Sequence, residues 1–410
     1  MDLNNDCNSK RGSLSDLRIL DLTRVWAGPL ATRILGDFGA EIIKIGDPRR
    51  PINTSSGVNN KLSRNKLNLA LRLDVISGRE IFLDLVKISD VVIENFRPRV
   101  MPNLHLSYQD IRSVNPDIVM CSMPGFGTGG PYTEYPAFGT TAEALAGIPS
   151  LMGYGSQLPM PTGIAYADPI SGLNTVGVLL ACLRQRDIWG GGQFIDIALA
   201  ASPVCTIGEY FVSNSVTQTN PVVFGNRHPK QTPHRAYQTA GDDEWIAISV
   251  TNDDEWRTLC SVIGDDALRD PLYCTLGGRQ AEEDYIDRRI SEWARGHSAP
   301  DIMNLLQNSG IPAGRVANNR QLLDDVHLSA RNFFVQLEEY SYGSKWYEGQ
   351  SIPGHHVEKT RWQPAHHFGQ DGRHILVDFL GYTDETCRTL ASDGTVVFGD
   401  DLQIERKEEE

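Results

Sequence analysis

The chain has 410 residues, 40% hydrophobic and 22% charged, a length suited to two domains, or to one large domain with an insertion. Its formal charge of -14 argues against nucleic acid or an anionic membrane as main partner, while leaving room for an anionic ligand in a local basic pocket. Seven scattered cysteines without a CxxC, a polar N-terminus (MDLNNDCNSKRGS) and the lack of a long apolar run suggest a cytoplasmic, reduced protein with no membrane span.

From residue 17 the hydrophobic period switches repeatedly. LRILDLT (17–23) reads as a buried strand, GPLATRILGDFG (28–39) as a helix with a glycine stop, and AEIIKIG (40–46) as a strand. KLNLALRLD (66–74) alternates like a strand, SGREIFLDLVKIS (77–89) has helical spacing, and DVVIENF (90–96) is again a strand. A short helix over 107–115 and a strand from 116 into a glycine-rich loop complete a pattern of alternating strands and helices. That pattern implies a parallel sheet covered on both faces. Residues 141–152 and 170–186 look helical, and 193–199 looks like a strand.

The polar stretch 214–235 reads as a linker or long loop. A second unit follows, with a strand at 245–250 and helices at 253–264, 281–297 and 299–310. From about 335 the chain turns mixed and aromatic, and residues 372–392 suggest a return to the first domain. The C-terminal IERKEEE reads as a solvated tail.

Four features carry chemistry. TRVWAGP (23–29) lies between a strand and a helix, where free backbone N–H groups hold anions, or where proline merely opens a tight turn. Lys44, Arg49, Arg50, Arg64, Lys66, Arg97 and Arg99 follow strands, in position either to meet an anionic ligand at the carboxyl edge of the sheet or to lie on solvated surface. PGFGTGGPY (124–132) is a loop whose backbone, including Gly125 and Gly127, can approach a ligand closely. Asp168, before Pro169, reads locally as a helix N-cap; an ionised carboxylate at a helix N-terminus also suits nucleophilic catalysis. His355-His356 and His366-His367 are adjacent pairs without a carboxylate cluster, so no metal site is expected.

Six segments in order resemble the family III CoA-transferases, the group of formyl-CoA transferase and carnitine CoA-transferase. They are LRILDLTRVWAGPLATRILGDFGAEIIKI, SRNKLNLALRLD, DVVIENFRP, SMPGFGTGGPY, ADPISGLNTVGVLLACLRQRDIWGGGQFIDIAL and IPAGRV. The resemblance implies an α/β fold with a Rossmann-like large domain and a smaller α/β domain, and two subunits interlocked as a ring-like dimer. The implied division is 1–213 for the large domain, 214–235 for the linker, 236–335 for the small domain and 336–410 for the return.

By the same resemblance Asp168 is the catalytic aspartate, passing through an aspartyl anhydride and an aspartyl–CoA thioester. CoA contacts carry over to Val25, Trp26, Ala27, Lys66, Asn95 and Phe96, with Arg49 or Arg50 and also Arg99 near the phosphates. Gly125, Gly127 and the Trp26–Ala27 turn are candidate oxyanion donors, and Trp26 is either a lid or packed core. Coenzyme A and acyl-CoA would be substrates, with no tightly bound cofactor. Partners would be acyl-CoA, succinyl-CoA among the candidates, and small carboxylic acids, in a homodimer or a hetero-oligomer with a paralogous subunit.

Tyr154, Met160, Phe224, Arg227 and His228 are expected to shape the acid pocket, and Arg227 could pair a second carboxylate. The alternatives are a non-catalytic subunit and an acyl-CoA racemase. The racemases similar to this chain pair a histidine with the aspartate; here Phe138 stands in that place, and no histidine occurs between His105 and His228.

Overall fold

The computed structural model describes residues 12–52, 57–154, 158–339, 343–351 and 362–399. The chain forms two compact units. The first comprises the described residues of 1–148, 161–218 and 333–410, and the second those of 149–160 and 219–332. The acidic tail and the His355-His356 pair lie outside the described residues.

The first unit begins β1 (Arg18–Asp21), α1 (Ala27–Asp37), β2 (Glu41–Gly46), α2 (Gly57–Ser63), β3 (Lys66–Leu71), α3 (Ile76–Lys87) and β4 (Val91–Glu94). It continues α4 (Val100–Asn103), α5 (Tyr108–Val114), β5 (Val119–Ser122), α6 (Gly139–Leu145), α7 (Ala167–Trp189), β6 (Phe194–Asp196) and α8 (Gly208–Thr217). Six strands are parallel in the order β3-β2-β1-β4-β5-β6. From β1 the chain winds outward to β3, then crosses back to start β4 on the other side of β1. This reversal opens a crevice at the carboxyl ends of β1 and β4, the usual ligand position in such sheets.

Strand alternation explains why both faces are covered. Leu20, Ile43, Leu69 and Val92 point into a core with Phe82 and Leu85 of α3 and Ile111 of α5. Their neighbours Ile19, Ile42, Val91 and Ile93 point the other way, onto Ala31 and Leu35 of α1 and Leu179 and Leu183 of α7. Each fully buried side chain of this kind contributes about 2 kcal/mol.

The second unit contains β7 (His234–Gln238), β8 (Trp245–Ser249), α9 (Asp253–Ile263), α10 (Leu276–Ala281), α11 (Glu283–Ala294), α12 (Ala299–Asn308), β9 (Ala313–Arg315), α13 (Asn319–Leu323) and α14 (Val326–Ala330). Its three strands form an antiparallel sheet in the order β7-β8-β9. Asn252 starts α9 by accepting from the backbone N–H groups of Asp254 and Glu255, and Gly264 ends it in the left-handed region. Trp256, Leu259, Ile290 and Ile302 fill the core. The stretch read as a linker is therefore partly structured, since α8 runs into it at Thr217 and β7 begins at His234.

The chain then returns to the first unit. β10 (Phe334–Glu339) and β11 (Gly343–Glu348) make an antiparallel hairpin, followed by α15 (Gly372–His374), α16 (Asp384–Ser392) and β12 (Val396–Val397). β12 pairs antiparallel with β3 and closes that edge of the sheet. Arg64 fastens the return: its buried guanidinium bonds Asp37 and the carbonyl of Glu348, and lies 4.1 Å from the Trp362 ring centroid.

Candidate active site

The turn from β1 to α1 is held from below by a buried charge cluster. Asp21 accepts from the Thr23 backbone N–H at 2.8 Å, the Thr32 hydroxyl at 2.6 Å, Lys44 Nζ at 3.0 Å and Lys66 Nζ at 3.0 Å. Burial alone would raise its pKa, but the two ammonium groups and two hydroxyls outweigh it and hold Asp21 far below the usual carboxylate range. Burial pushes Lys66 down to about 8, with Asp21 working against it. The lysines also reach the turn itself: Lys44 donates to the carbonyl of Thr23, and Lys66 to that of Pro29 at 3.0 Å.

Above this cluster, Asn95 from the β4 turn bonds the Arg24 backbone in both directions, at 2.8 and 2.7 Å, across the crevice. Val25 sits at φ 69°, a conformation β-branched residues rarely adopt and that persists where surrounding contacts impose it. Trp26 packs partly on Leu30, Ile34 and Leu62, with Lys61 Nζ 5.9 Å from its ring. Ala27 opens α1, so its backbone N–H has no partner within that helix.

That N–H faces Asp168. The sequence reading made Asp168 the N-cap of α7; the structure corrects it. The helix begins at Ala167 with Tyr166 as the N-cap residue, so Asp168 lies within the first turn and its side chain caps nothing. Asp168 is only 7% exposed. Burial pushes its pKa up to about 6, and the hydrogen bond from the Ala27 backbone pulls the other way. At pH 7 the carboxylate is thus ionised by roughly ten to one, yet poorly solvated and more basic than an ordinary aspartate.

Two glycines make room for it. A Cβ on Gly172 would come within 2.7 Å of the Ala27 carbonyl, so this glycine lets α7 lie against the start of α1. A Cβ on Gly139, the first residue of α6, would fall 1.8 Å from Asp168 Oδ2. Gly139 follows Phe138, the residue expected from the resemblance to replace a racemase histidine. Phe138 is 66% exposed and caps α6 without titratable chemistry.

The glycine loop after β5 is fastened to the segment after β6. Asp196 accepts from the Thr128 backbone at 2.8 Å and from its hydroxyl at 2.6 Å, and the Gly125 carbonyl accepts from Ala200. Gly127 at φ 82° lies over the Asp196 carboxylate, and a Cβ on Gly125 would strike Ala137. Glu94 ends β4 nearby. Burial pushes its pKa up to about 7, while Ser122 and the Phe96 N–H, which donates to it at 2.6 Å, act to lower it.

The remaining candidates divide by exposure. Lys66 and Lys44 are 3% and 6% exposed and are occupied with Asp21, and Arg64 is wholly buried, so these three cations serve the scaffold. Arg49 is exposed beside Asp47 and Asp74, at 2.8 and 2.9 Å. Arg99 is exposed 3.5 Å from Glu134, and the Arg24 guanidinium lies 6.0 Å from the Phe96 ring. In the second unit Tyr154 and Asn226 help line a cleft of about 620 Å³. Arg227, considered as a partner for a substrate carboxylate, is bound by Glu283 and Asp284 instead. No group of metal-ligating side chains occurs among the described residues, and none of their helices is long and apolar enough to cross a membrane.

Sequence reasoning passed over Gly139 and Glu143, both on α6. Glu143 lies four residues after Gly139 and is 1% exposed. The available signal was a lone acid among small apolar residues in AEALAG.

The profile described as CoA-transferase family III matches residues 14–371. The chain belongs to CoA-transferase family III. This family III CoA-transferase is 29% identical over 397 residues to the succinyl-CoA–D-citramalate CoA-transferase of Chloroflexus aurantiacus, covering 92% of this chain and 96% of that one. It is 31% identical over 385 residues to the succinyl-CoA:mesaconate CoA-transferase of Haloarcula hispanica, covering 90% and 94%. It is 28% identical over 394 residues to the human succinyl-CoA:glutarate CoA-transferase, covering 93% and 90%. Its fold is shared with a CAIB/BAIF family protein from Brucella suis at a TM-score of 0.82 and 24% identity, covering 90% of this chain and all of that one.

Proposed function

We propose that this CoA-transferase moves CoA from succinyl-CoA to a second carboxylic acid, with Asp168 as the covalent carrier. The observation that carries the proposal is a buried carboxylate, raised to about 6, whose partner is one helix-start N–H, that of Ala27, instead of a cation. Such a group is ionised at neutral pH and reactive because nothing neutralises it.

One Asp168 oxygen attacks the thioester carbonyl of the donor; the C–S bond breaks, leaving a mixed anhydride and CoA thiolate. The thiolate then attacks the Asp168 carbonyl carbon, expels the donor acid and forms an aspartyl–CoA thioester. The acceptor carboxylate attacks that thioester, releasing thiolate and forming a second anhydride. Attack of the thiolate on the acceptor's carbonyl restores Asp168 and releases the new acyl-CoA. No net proton or electron is exchanged. Each step passes through an oxyanion, and the Ala27 N–H, with the backbone of the 125–130 loop, supplies donors for it. Water is to be excluded, since hydrolysis would discharge either intermediate.

Succinyl-CoA as donor is supported by the relatives named for it. In this reading the backbone of Val25, Trp26 and Ala27, with Asn95 and Phe96, lines the CoA path, and the exposed Arg49 and Arg99 meet its phosphates. The exposed apolar residues Leu173, Leu180 and Trp189 of α7 and Phe211, Val212 and Val216 of α8 support an interlocked dimer. A panel of CoA donors and acids, followed by mass spectrometry, tests the donor. Succinyl-CoA should be used at least about tenfold faster than acetyl-CoA, equivalent to 1.4 kcal/mol of barrier. A chain indifferent to succinyl-CoA contradicts the reading.

A further inference from the structure

The segment that leads into Asp168 is held by a side chain distant from it in sequence. Glu143 is buried on α6, and among the described residues it has no cationic partner. Its carboxylate takes three donors instead. Oε1 accepts from the Thr162 backbone N–H at 2.9 Å, and Oε2 accepts from the Thr162 hydroxyl and the Tyr166 backbone N–H, each at 2.9 Å. All three come from the segment that leads into α7.

That segment needs holding. Gly163 has φ 83° and Ala165 has φ 52°, and a non-glycine residue in the left-handed region is strained unless its surroundings hold it there. The Ala165 carbonyl then accepts the Asp168 N–H at 3.0 Å, and the Tyr166 carbonyl accepts that of Ile170 at 3.1 Å, so the strained turn feeds directly into the first turn of α7. The same short helix meets Asp168 at its other end, where Gly139 lies against Oδ2 and close to the Ala165 side chain. Residues 139 and 143 are one turn apart on one face of α6.

We infer that Glu143 is a positioning residue, which clamps residues 162–166 so that the Asp168 carboxylate meets the substrate carbonyl in the attacking geometry. A carboxylate suits the post because every group aimed at it is a donor or a hydroxyl. An amide would turn its NH2 against one of two backbone N–H groups. This rests on the reading of Asp168 as nucleophile.

The test measures kcat, KM for the CoA thioester and amide hydrogen exchange in Glu143→Ala and Glu143→Gln, with Asp168→Asn alongside. Glu143→Ala should lower kcat by about 100-fold, the cost of roughly 1 Å of misplacement, with KM within about threefold. Glu143→Gln, which retains part of the bonding, should recover about tenfold of that loss. Exchange at the Thr162 and Tyr166 amides should rise at least about tenfold in the alanine variant. A kcat for Glu143→Ala within threefold of the parent overturns the inference. If that variant does not fold, Glu143→Gln decides: a loss of about tenfold in a folded protein supports the clamp, and an unchanged kcat removes it. An inactive Asp168→Asn beside fully active Glu143 variants refutes the clamp alone; an active Asp168→Asn refutes the nucleophile, and the clamp with it.

Discussion

Two buried aspartates, one at the end of β1 and one in the first turn of α7, have opposite fates. Asp21 is 0% exposed and Asp168 is 7% exposed, so burial alone does not separate them. Asp21 is saturated by Lys44, Lys66, Thr23 and Thr32 and is held ionised and inert. Asp168 is given one backbone N–H, and burial raises it to about 6. Asp21 has its full complement of donors and serves as scaffold, whereas Asp168 is left short of donors, the environment expected of a reactive carboxylate. The lysines that neutralise Asp21 also grip the carbonyls on either side of the turn that presents the Ala27 N–H.

The contrast can be broken by substitution. In the proposed mechanism Asp168 alone carries CoA, so Asp168→Asn should lower transfer at least about 1000-fold. The same change removes a buried charge held by a single N–H, so it should stabilise the fold by about 1 kcal/mol, seen as a rise in Tm. Asp21→Asn should behave in the reverse sense. It leaves Lys44 and Lys66 buried beside a neutral group and should cost about 3–5 kcal/mol in urea denaturation. Gly139→Ala drives a methyl into Asp168 Oδ2; with far-UV dichroism unchanged, kcat should drop about 100-fold.

The smallest effect is in pH. The proposed nucleophile must be ionised to attack, so kcat/KM should fall about tenfold per unit below pH 6 and level off above it. Stability moves the other way. The folded pKa lies above the unfolded value of 3.8, so the contribution of protonated Asp168 is fully present below 3.8 and is lost as pH rises through about 6. A rate limb near pH 4 would mean that Asp168 is as well solvated as an ordinary surface acid.

Much of this was legible in the chain. The strands and helices from β1 to β5 follow the switch between periods of two and 3.6, because both sheet faces are packed and the apolar pattern has no freedom to slip. The hairpin β10–β11 and the two-residue β12 carry too little pattern to announce themselves, and their pairing is decided by distant partners. At the site, Asp168 was visible and its position in the helix was not. Ala-Asp-Pro reads as a cap followed by N1, whereas the bond from Tyr166 N–H to Glu143 lets α7 start two residues earlier than that reading implies. Lys66 illustrates the converse. A lysine beginning a strand looks ready for a phosphate, and only three-dimensional neighbours reveal that Asp21 holds it.

The central claim is that CoA resides for a time on one side chain. Mixing the enzyme with succinyl-CoA alone and quenching with hydroxylamine converts an aspartyl thioester to a hydroxamate that peptide mass spectrometry can place. The hydroxamate should appear on Asp168, in the peptide spanning 162–173, and should be absent without the thioester. A label on any other residue, or none during active turnover, would contradict the account.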